Sequence, residues 1–333
     1  DGIQYMQVMC CPLRVLTLAW LTHAARGDIF CYQGRQLPSL FLLGAQKCAT
    51  SSFAEQLFTE WGVTRGIAYR DGHSFSDSKE HHFFDQRQRA PKGLGYYAQS
   101  FPPCGKNVFT IDATPNYFFP SAFNNHALER IASMYGKERL KRTTFAVLLC
   151  DPVQRAQSAW YHFHSGQSFR SMVAGMHGNF DHGSSKDLTW KIGRYNNLVE
   201  ESLRRFGNIV IIPSLLYLQD ARATISKVLE YAKHRNPGGT TPRATSASSH
   251  SPRPPHENSH KHPQLKDDIS SDDSLKLAHY YSQSICSIYG LVHGHDPRVT
   301  TLPYRPRGNS ERFLETSTVL KAHPASCRSV SKG

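Results

Sequence analysis

From Leu40 onward, short apolar runs alternate with stretches of helical periodicity, and this alternation restricts the chain more than any other feature. A strand buried on both faces reads as an unbroken apolar run, and a helix laid over it shows apolar residues at three- and four-residue spacing. The runs are Leu40 to Leu43, Val108 to Ile111, Phe145 to Leu149 and Ile209 to Ile212. Helical spacing follows at Phe53, Leu57 and Phe58, at Leu128, Ile131 and Met134, at Ala156, Ala159 and Trp160, and at Ile225, Val228 and Leu229. The pattern predicts an α/β fold: a P-loop-like open parallel sheet flanked by helices. In such a sheet ligands meet the carboxyl ends of the strands, which is where motifs deserve a search.

The sheet domain is expected over 38–296. Residues 1–37 read as an N-terminal arm, and 297–333 as a polar, basic tail. Between Lys233 and Pro263 the composition turns to Pro, Ser, Thr, His and basic residues with almost no apolar side chain, so this stretch is expected to be a mobile insertion rather than core. A final helical pattern, Leu275 to Tyr289, returns to the domain. The apolar stretch Val8 to Leu21 is interrupted by Pro12 and Arg14 and is shorter than the roughly 20 apolar residues of a membrane span. It is expected to be an arm, or the remnant of a signal or membrane anchor.

Lys and Arg number 39 against 26 Asp and Glu, a net charge of +13, with 18 His in addition. An anionic partner follows, although charge alone does not choose among nucleic acid, acidic lipid, polyanionic sugar and nucleotide. Eight cysteines without CxxC spacing argue against a zinc ribbon or a thioredoxin-like centre and leave one or two disulfides open. The histidines of the insertion form no HxxxH pair, so no metal is expected.

Four segments carry chemistry. In Gly44-Ala45-Gln46-Lys47-Cys48-Ala49-Thr50-Ser51-Ser52, an apolar strand runs through small residues into a helix, which turns backbone N–H groups and the positive helix end toward an anion, with Lys47 as a mobile charge. It is not the nucleoside-triphosphatase loop GxxxxGK[ST], since Lys47 comes three residues after Gly44 with no second glycine before it. In Ser78-Lys79-Glu80-His81-His82-Phe83-Phe84-Asp85, a carboxylate precedes a histidine by two residues; extended backbone would set Glu80 and His82 on one side, as a base and its tuning neighbour. Asp112-Ala113-Thr114-Pro115-Asn116-Tyr117-Phe118 ends a strand in a polar turn. Cys150-Asp151-Pro152-Val153-Gln154-Arg155-Ala156-Gln157-Ser158 ends another and opens a helix at Pro152. Each has a plain structural alternative: an ordinary strand-to-helix turn with a surface lysine for the first, and a solvated charge run with an aromatic anchor for the second. Trp160 and Tyr161 read as core, Lys137 to Arg142 as a solvated helix end, and Cys48 as a small filling side chain in the loop.

Taken in order, these four segments resemble the sulfotransferases that use 3′-phosphoadenosine 5′-phosphosulfate (PAPS), and most of all the Golgi heparan sulfate 3-O and N types. The resemblance covers about Leu40 to Gly166 and continues more weakly through Gly193-Arg194-Tyr195, the Ile209 run and the last helix. It implies a single sulfotransferase domain in which Gly44, Lys47, Cys48, Ala49, Thr50, Ser51 and Ser52 hold the 5′-phosphosulfate, Lys47 meeting the departing phosphate. By the same resemblance Glu80 is the base, His82 the histidine beside it, and Ser158 a contact of the 3′-phosphate. The implied donor is PAPS, the product 3′,5′-ADP, and the acceptor a hydroxyl or amine of a carbohydrate such as a glycosaminoglycan, with no metal and no nucleic acid. A Golgi lumenal address with anchoring through the N-terminal segment is implied too.

The sequence departs from that family at three places. Cys150 stands where the family carries an arginine before Asp-Pro, with Arg155 as the substitute at hand; Ala113 replaces a lysine of the 3-O enzymes; and Asn258-Ser259-His260-Lys261 matches the family's Lys-Gly-Arg only with a shift, giving Lys261 as the adenine-side contact. A tyrosine-directed protein sulfotransferase and a catalytically silent binder of the nucleotide or of polyanions are the alternatives. A P-loop kinase or a nucleic-acid binder lacks the second glycine and the aromatic-basic interleaving it needs.

Overall fold

The computed structural model describes residues 28–67, 79–105, 108–119, 126–164, 168–176, 188–237, 270–293 and 296–301. Its centre is a five-stranded parallel sheet of order β4-β3-β5-β6-β7, made of β3 (Leu40–Gly44), β4 (Ile111–Asp112), β5 (Thr144–Leu149), β6 (Ile209–Pro213) and β7 (Val299–Thr301). Every residue of β3, β5 and β6 is buried, because helices cover both faces; unbroken apolar runs are what such strands require. A separate hairpin, β1 (Cys31–Tyr32) with β2 (Arg35–Gln36), is tied by a Cys31–Cys104 disulfide.

The helices are α1 (Thr50–Glu60), α2 (Gly93–Ala98), α3 (Ala127–Arg142), α4 (Pro152–Phe163), α5 (Phe169–Gly175), α6 (Leu188–Lys191), α7 (Tyr195–Phe206), α8 (Ser214–Gln219), α9 (Ala221–Arg235) and α10 (Ser271–His293). Their buried stripes follow the predicted ones: Phe53 and Leu57 in α1, Leu128 and Ile131 in α3, Ala156, Ala159 and Trp160 in α4, and Ile225, Val228 and Leu229 in α9, with the predicted Phe58 and Met134 only partly buried against the core. The core is continuous, and Phe41 of β3 lies at its centre against Tyr135, Phe145 and Phe84.

Strand order puts the motifs together. The connection leaving β3 reaches β4 on one side, while the one leaving β5 reaches β6 on the other, so the crevice between the carboxyl ends of β3 and β5 is the topological switch point of this sheet. The Gly44 loop and the Cys150-Asp151-Pro152 turn both open into it.

Four expectations on extent need correction. The run Val108–Ile111 is strand only from Ile111, with Thr110 joined to Thr64 by an isolated bridge. The domain does not start at 38, since the hairpin at Cys31–Gln36 is part of the fold, and it does not end at 296, since Val299–Thr301 pairs with β6. Nor does the insertion start at Lys233: helix α9 runs to Arg235, with Lys233, His234 and Arg235 in its last turn, where cations suit the negative helix end. The insertion from 238 on, the tail beyond Thr301 and the arm before Asp28 lie outside the described residues. Among the described residues no helix is long and apolar enough to cross a membrane.

Candidate active site

The anion loop is shaped by its backbone. Lys47 and Ala49 both take left-handed conformations, at φ 70° and 68°, and alternation of this kind gathers successive amide groups into a concave cradle for an anion. Helix α1 begins at Thr50, and no side chain caps its first turn, so those amides face the loop. Gly44 is required by close approach: a Cβ there would sit 2.6 Å from Phe118 Cβ and 3.0 Å from the Pro115 carbonyl. The turn after β4 thus packs directly on the loop, and the Phe118 amide donates to the Leu43 carbonyl at 2.9 Å while Gln46 Nε2 donates to Asn116 Oδ1 at 3.4 Å.

Opposite the loop stands the Lys79–Asp85 segment. Glu80 accepts on both oxygens, from Lys79 Nζ at 2.6 Å on Oε1 and against His82 Nε2 at 3.2 Å on Oε2. The other ring nitrogen of His82 lies 2.7 Å from Asp85 Oδ2. Glu80 and His82 do meet, but not through strand alternation: His82 is left-handed, at φ 49°, so a turn brings the two side chains together. That turn is held from below. The His82 amide donates to Thr114 Oγ1 and the Phe83 amide to the Tyr117 hydroxyl, and Thr114, Tyr117 and Tyr97 all donate to the fully buried carboxylate of Asp112.

Electrostatics follow from these pairs. Burial alone would lower the His82 pKa, but the hydrogen bonds to Asp85 and Glu80 outweigh it and raise it to about 9, so the ring is an imidazolium at neutral pH. Burial would raise Glu80, but the His82 hydrogen bond and the Lys79 ammonium hold it below the ordinary carboxylate range. Lys47 is lowered to about 8, by burial first and by repulsion from Lys79 second, with Glu80 opposing. Lys47, Lys79 and Glu80 therefore share one electrostatic site. His81 faces the other way, buried against Phe101 and Tyr97. Asp112 is raised to about 6 by burial, against its three hydroxyl donors.

The predicted site residues divide into three groups. Lys47, Glu80 and His82 converge, with Gly44, Cys48, Ala49, Thr50, Ser51 and Ser52 forming the cradle. Ser158 lies half-buried on α4, and Lys261 is outside the described residues. Arg155, on α4, is 1% exposed; its Nη2 donates to the Thr189 carbonyl, while its Nε and Nη1 are buried without a hydrogen-bond partner among the described residues. Cys48 is not a thiol but half of a disulfide with Cys150, joining the anion loop to the turn after β5 across the switch point. The Tyr195 hydroxyl donates to the Cys150 carbonyl beside it, and Ser214 Oγ donates to that of Cys48. Gly193, just before α7, admits Tyr281 closely enough that a Cβ would lie 2.7 Å from its ring. Cys286 is also disulfide-bonded.

Sequence reasoning missed Lys79, Asp85 and the Asp112 support. The signal for Asp85 was its three-residue spacing from His82, which suits a turn and not the extended backbone assumed; for Lys79 it was adjacency to Glu80.

No family model matches the chain. Among solved structures, the chain is similar to a sulfotransferase from Alicyclobacillus acidocaldarius, with a TM-score of 0.51 and 17% identity over 77% of this chain and 96% of that one. The α/β sheet and its flanking helices have the fold of that sulfotransferase.

Proposed function

We propose that this protein transfers a sulfuryl group from PAPS to a hydroxyl or amine of a carbohydrate, a glycosaminoglycan being the acceptor class that best suits a chain of net charge +13. One observation carries the reading: an amide cradle with a lysine, Lys47, and a carboxylate-histidine pair, Glu80 and His82, meet in one crevice at the switch point of a sulfotransferase-type sheet. PAPS, when bound, supplies an activated sulfur and a phosphate leaving group. The cradle amides and Lys47 would hold the 5′ end and stabilise charge on the departing phosphate. Glu80 would take the acceptor proton, and His82, fixed between Glu80 and Asp85, would keep that carboxylate aimed and ionised. Positioning does most of the work, as in phosphoryl transfer. The disulfides at Cys31–Cys104 and Cys48–Cys150 support an oxidising secretory compartment, in keeping with a Golgi lumenal address.

A second reading, a nucleotide binder without turnover, draws on Cys150, locked in a disulfide where the resembled family has an arginine, and on Ala113. One assay separates the readings. Transfer of labelled sulfate from PAPS is measured against a panel of glycosaminoglycans, simpler glycans and tyrosine peptides, with E80Q and K47A alongside. Transfer to a glycan that both variants lose supports the proposal; transfer to peptides alone moves the acceptor to tyrosine. Binding of 3′,5′-ADP with no transfer to any acceptor supports the silent binder, and full activity in both variants overturns the assigned roles.

A further inference from the structure

Lys79 belongs to both halves of the site at once. Its ammonium donates to Glu80 Oε1 at 2.6 Å and to Ser51 Oγ, in the first turn of α1, at 2.7 Å, while its side chain is 9% exposed. An ammonium has three donors and no preference for one acceptor over another of equal charge. Here two of its donors tie the carboxylate that would take the acceptor proton to the loop that would hold the donor's anion. A carboxylate flanked by Lys79 on one oxygen and His82 on the other stays ionised yet accepts a proton poorly. An anion in the cradle competes for the same ammonium, and a doubly charged phosphate group outbids a carboxylate in a half-buried site.

On the reading of this crevice as a sulfuryl-donor site, we propose that Lys79 is a donor-sensing positioning residue: an anion seated in the Gly44–Ser52 cradle draws its ammonium off Glu80, so the base gains proton affinity only when donor is present. Among the described residues, these titratable groups face Glu80. Lys47 approaches from the anion loop, Lys79 and His82 from its own segment, and Asp85 stands behind His82. Asp112 lies beneath, through Thr114. Only Lys79 bonds both Glu80 and a cradle side chain among the hydrogen bonds of the described residues.

The test is the Glu80 titration midpoint, read by carbon NMR of glutamate-labelled full-length protein, with E80Q to assign the signal, in free protein and in protein saturated with 3′,5′-ADP. In wild type the midpoint rises on adding the nucleotide. In K79M it is already higher in the free protein and rises by less than half as much, while K79R, which keeps the charge, responds like wild type; nucleotide affinity in K79M falls about tenfold. K79Q serves if K79M does not fold. A K79M protein with the wild-type midpoint in the free state, or with the full rise on nucleotide binding, overturns the proposal. Absence of 3′,5′-ADP binding to wild type overturns the donor-site reading itself, a result distinct from binding without coupling.

Discussion

The two sides of the crevice are built on different principles. The anion loop is a backbone device: small residues, two left-handed positions at Lys47 and Ala49, and an uncapped helix start present amides that few substitutions would remove. The Lys79–Asp85 side is a chain of charges, Ser51 to Lys79 to Glu80 to His82 to Asp85, each link a single side chain at 2.6 to 3.2 Å. On the proposed reading, binding is thereby spread over many groups and proton transfer concentrated in one. Variants of Glu80, His82 and Asp85 should cut turnover while sparing binding, and variants on the loop side, together with those of Lys79, which bonds Ser51 of that loop, should weaken binding in steps.

The largest effect is expected from Glu80→Gln, which removes the proton acceptor while keeping shape: sulfuryl transfer should fall about a thousandfold, with 3′,5′-ADP affinity in calorimetry close to wild type. A comparable loss of nucleotide binding would erase the contrast between the two sides. Lys47→Ala should cost roughly a hundredfold in transfer and weaken the nucleotide as well. The ordinary lysine behaviour of Lys47 is changed by burial, so its charge is lost as pH rises through about 8; kcat/KM for the donor should therefore fall above that pH, and Lys47→Arg should push the fall to higher pH. A profile that stays flat across pH 8 would place Lys47 outside the donor site.

Smaller effects probe what supports each side. Replacing both cysteines of the Cys48–Cys150 bridge, 102 residues apart in sequence, should lower stability by about 2–4 kcal/mol in denaturant unfolding and weaken 3′,5′-ADP, because two donor-site loops lose their link. Asp112→Asn should cost about 1–3 kcal/mol, and it should lower kcat more than it raises the donor KM, since its hydroxyl partners set the His82 turn and not the loop. Equal effects on both would mean that Asp112 serves the core alone.

The same contrast explains what could be read in advance. Sheet strands, their covering helices and the anion loop were legible, because unbroken apolar runs and a strand-to-helix loop of small residues have a local cause. Edge pieces were not: Val299–Thr301 is short and held by pairing with β6, and the small hairpin at Cys31–Gln36 is tied to a distant segment through the Gln36 amide on the Pro102 carbonyl and the Cys31–Cys104 disulfide. Glu80 and His82 were found as a pair for the wrong geometric reason, since the left-handed backbone of His82 depends on Thr114 and Tyr117, about thirty residues on. Cys48 and Cys150 could be paired only once β3 and β5 were known to be neighbours. Arg155 looked available at a helix start, yet its place on α4 aims it inward to the Thr189 carbonyl.

Calorimetric titration of 3′,5′-ADP into wild-type and Lys47→Ala protein tests the central claim most directly. The account predicts one site per chain in wild type, with affinity reduced at least about tenfold in the variant. No binding to wild type, or the same affinity in both proteins, would contradict it.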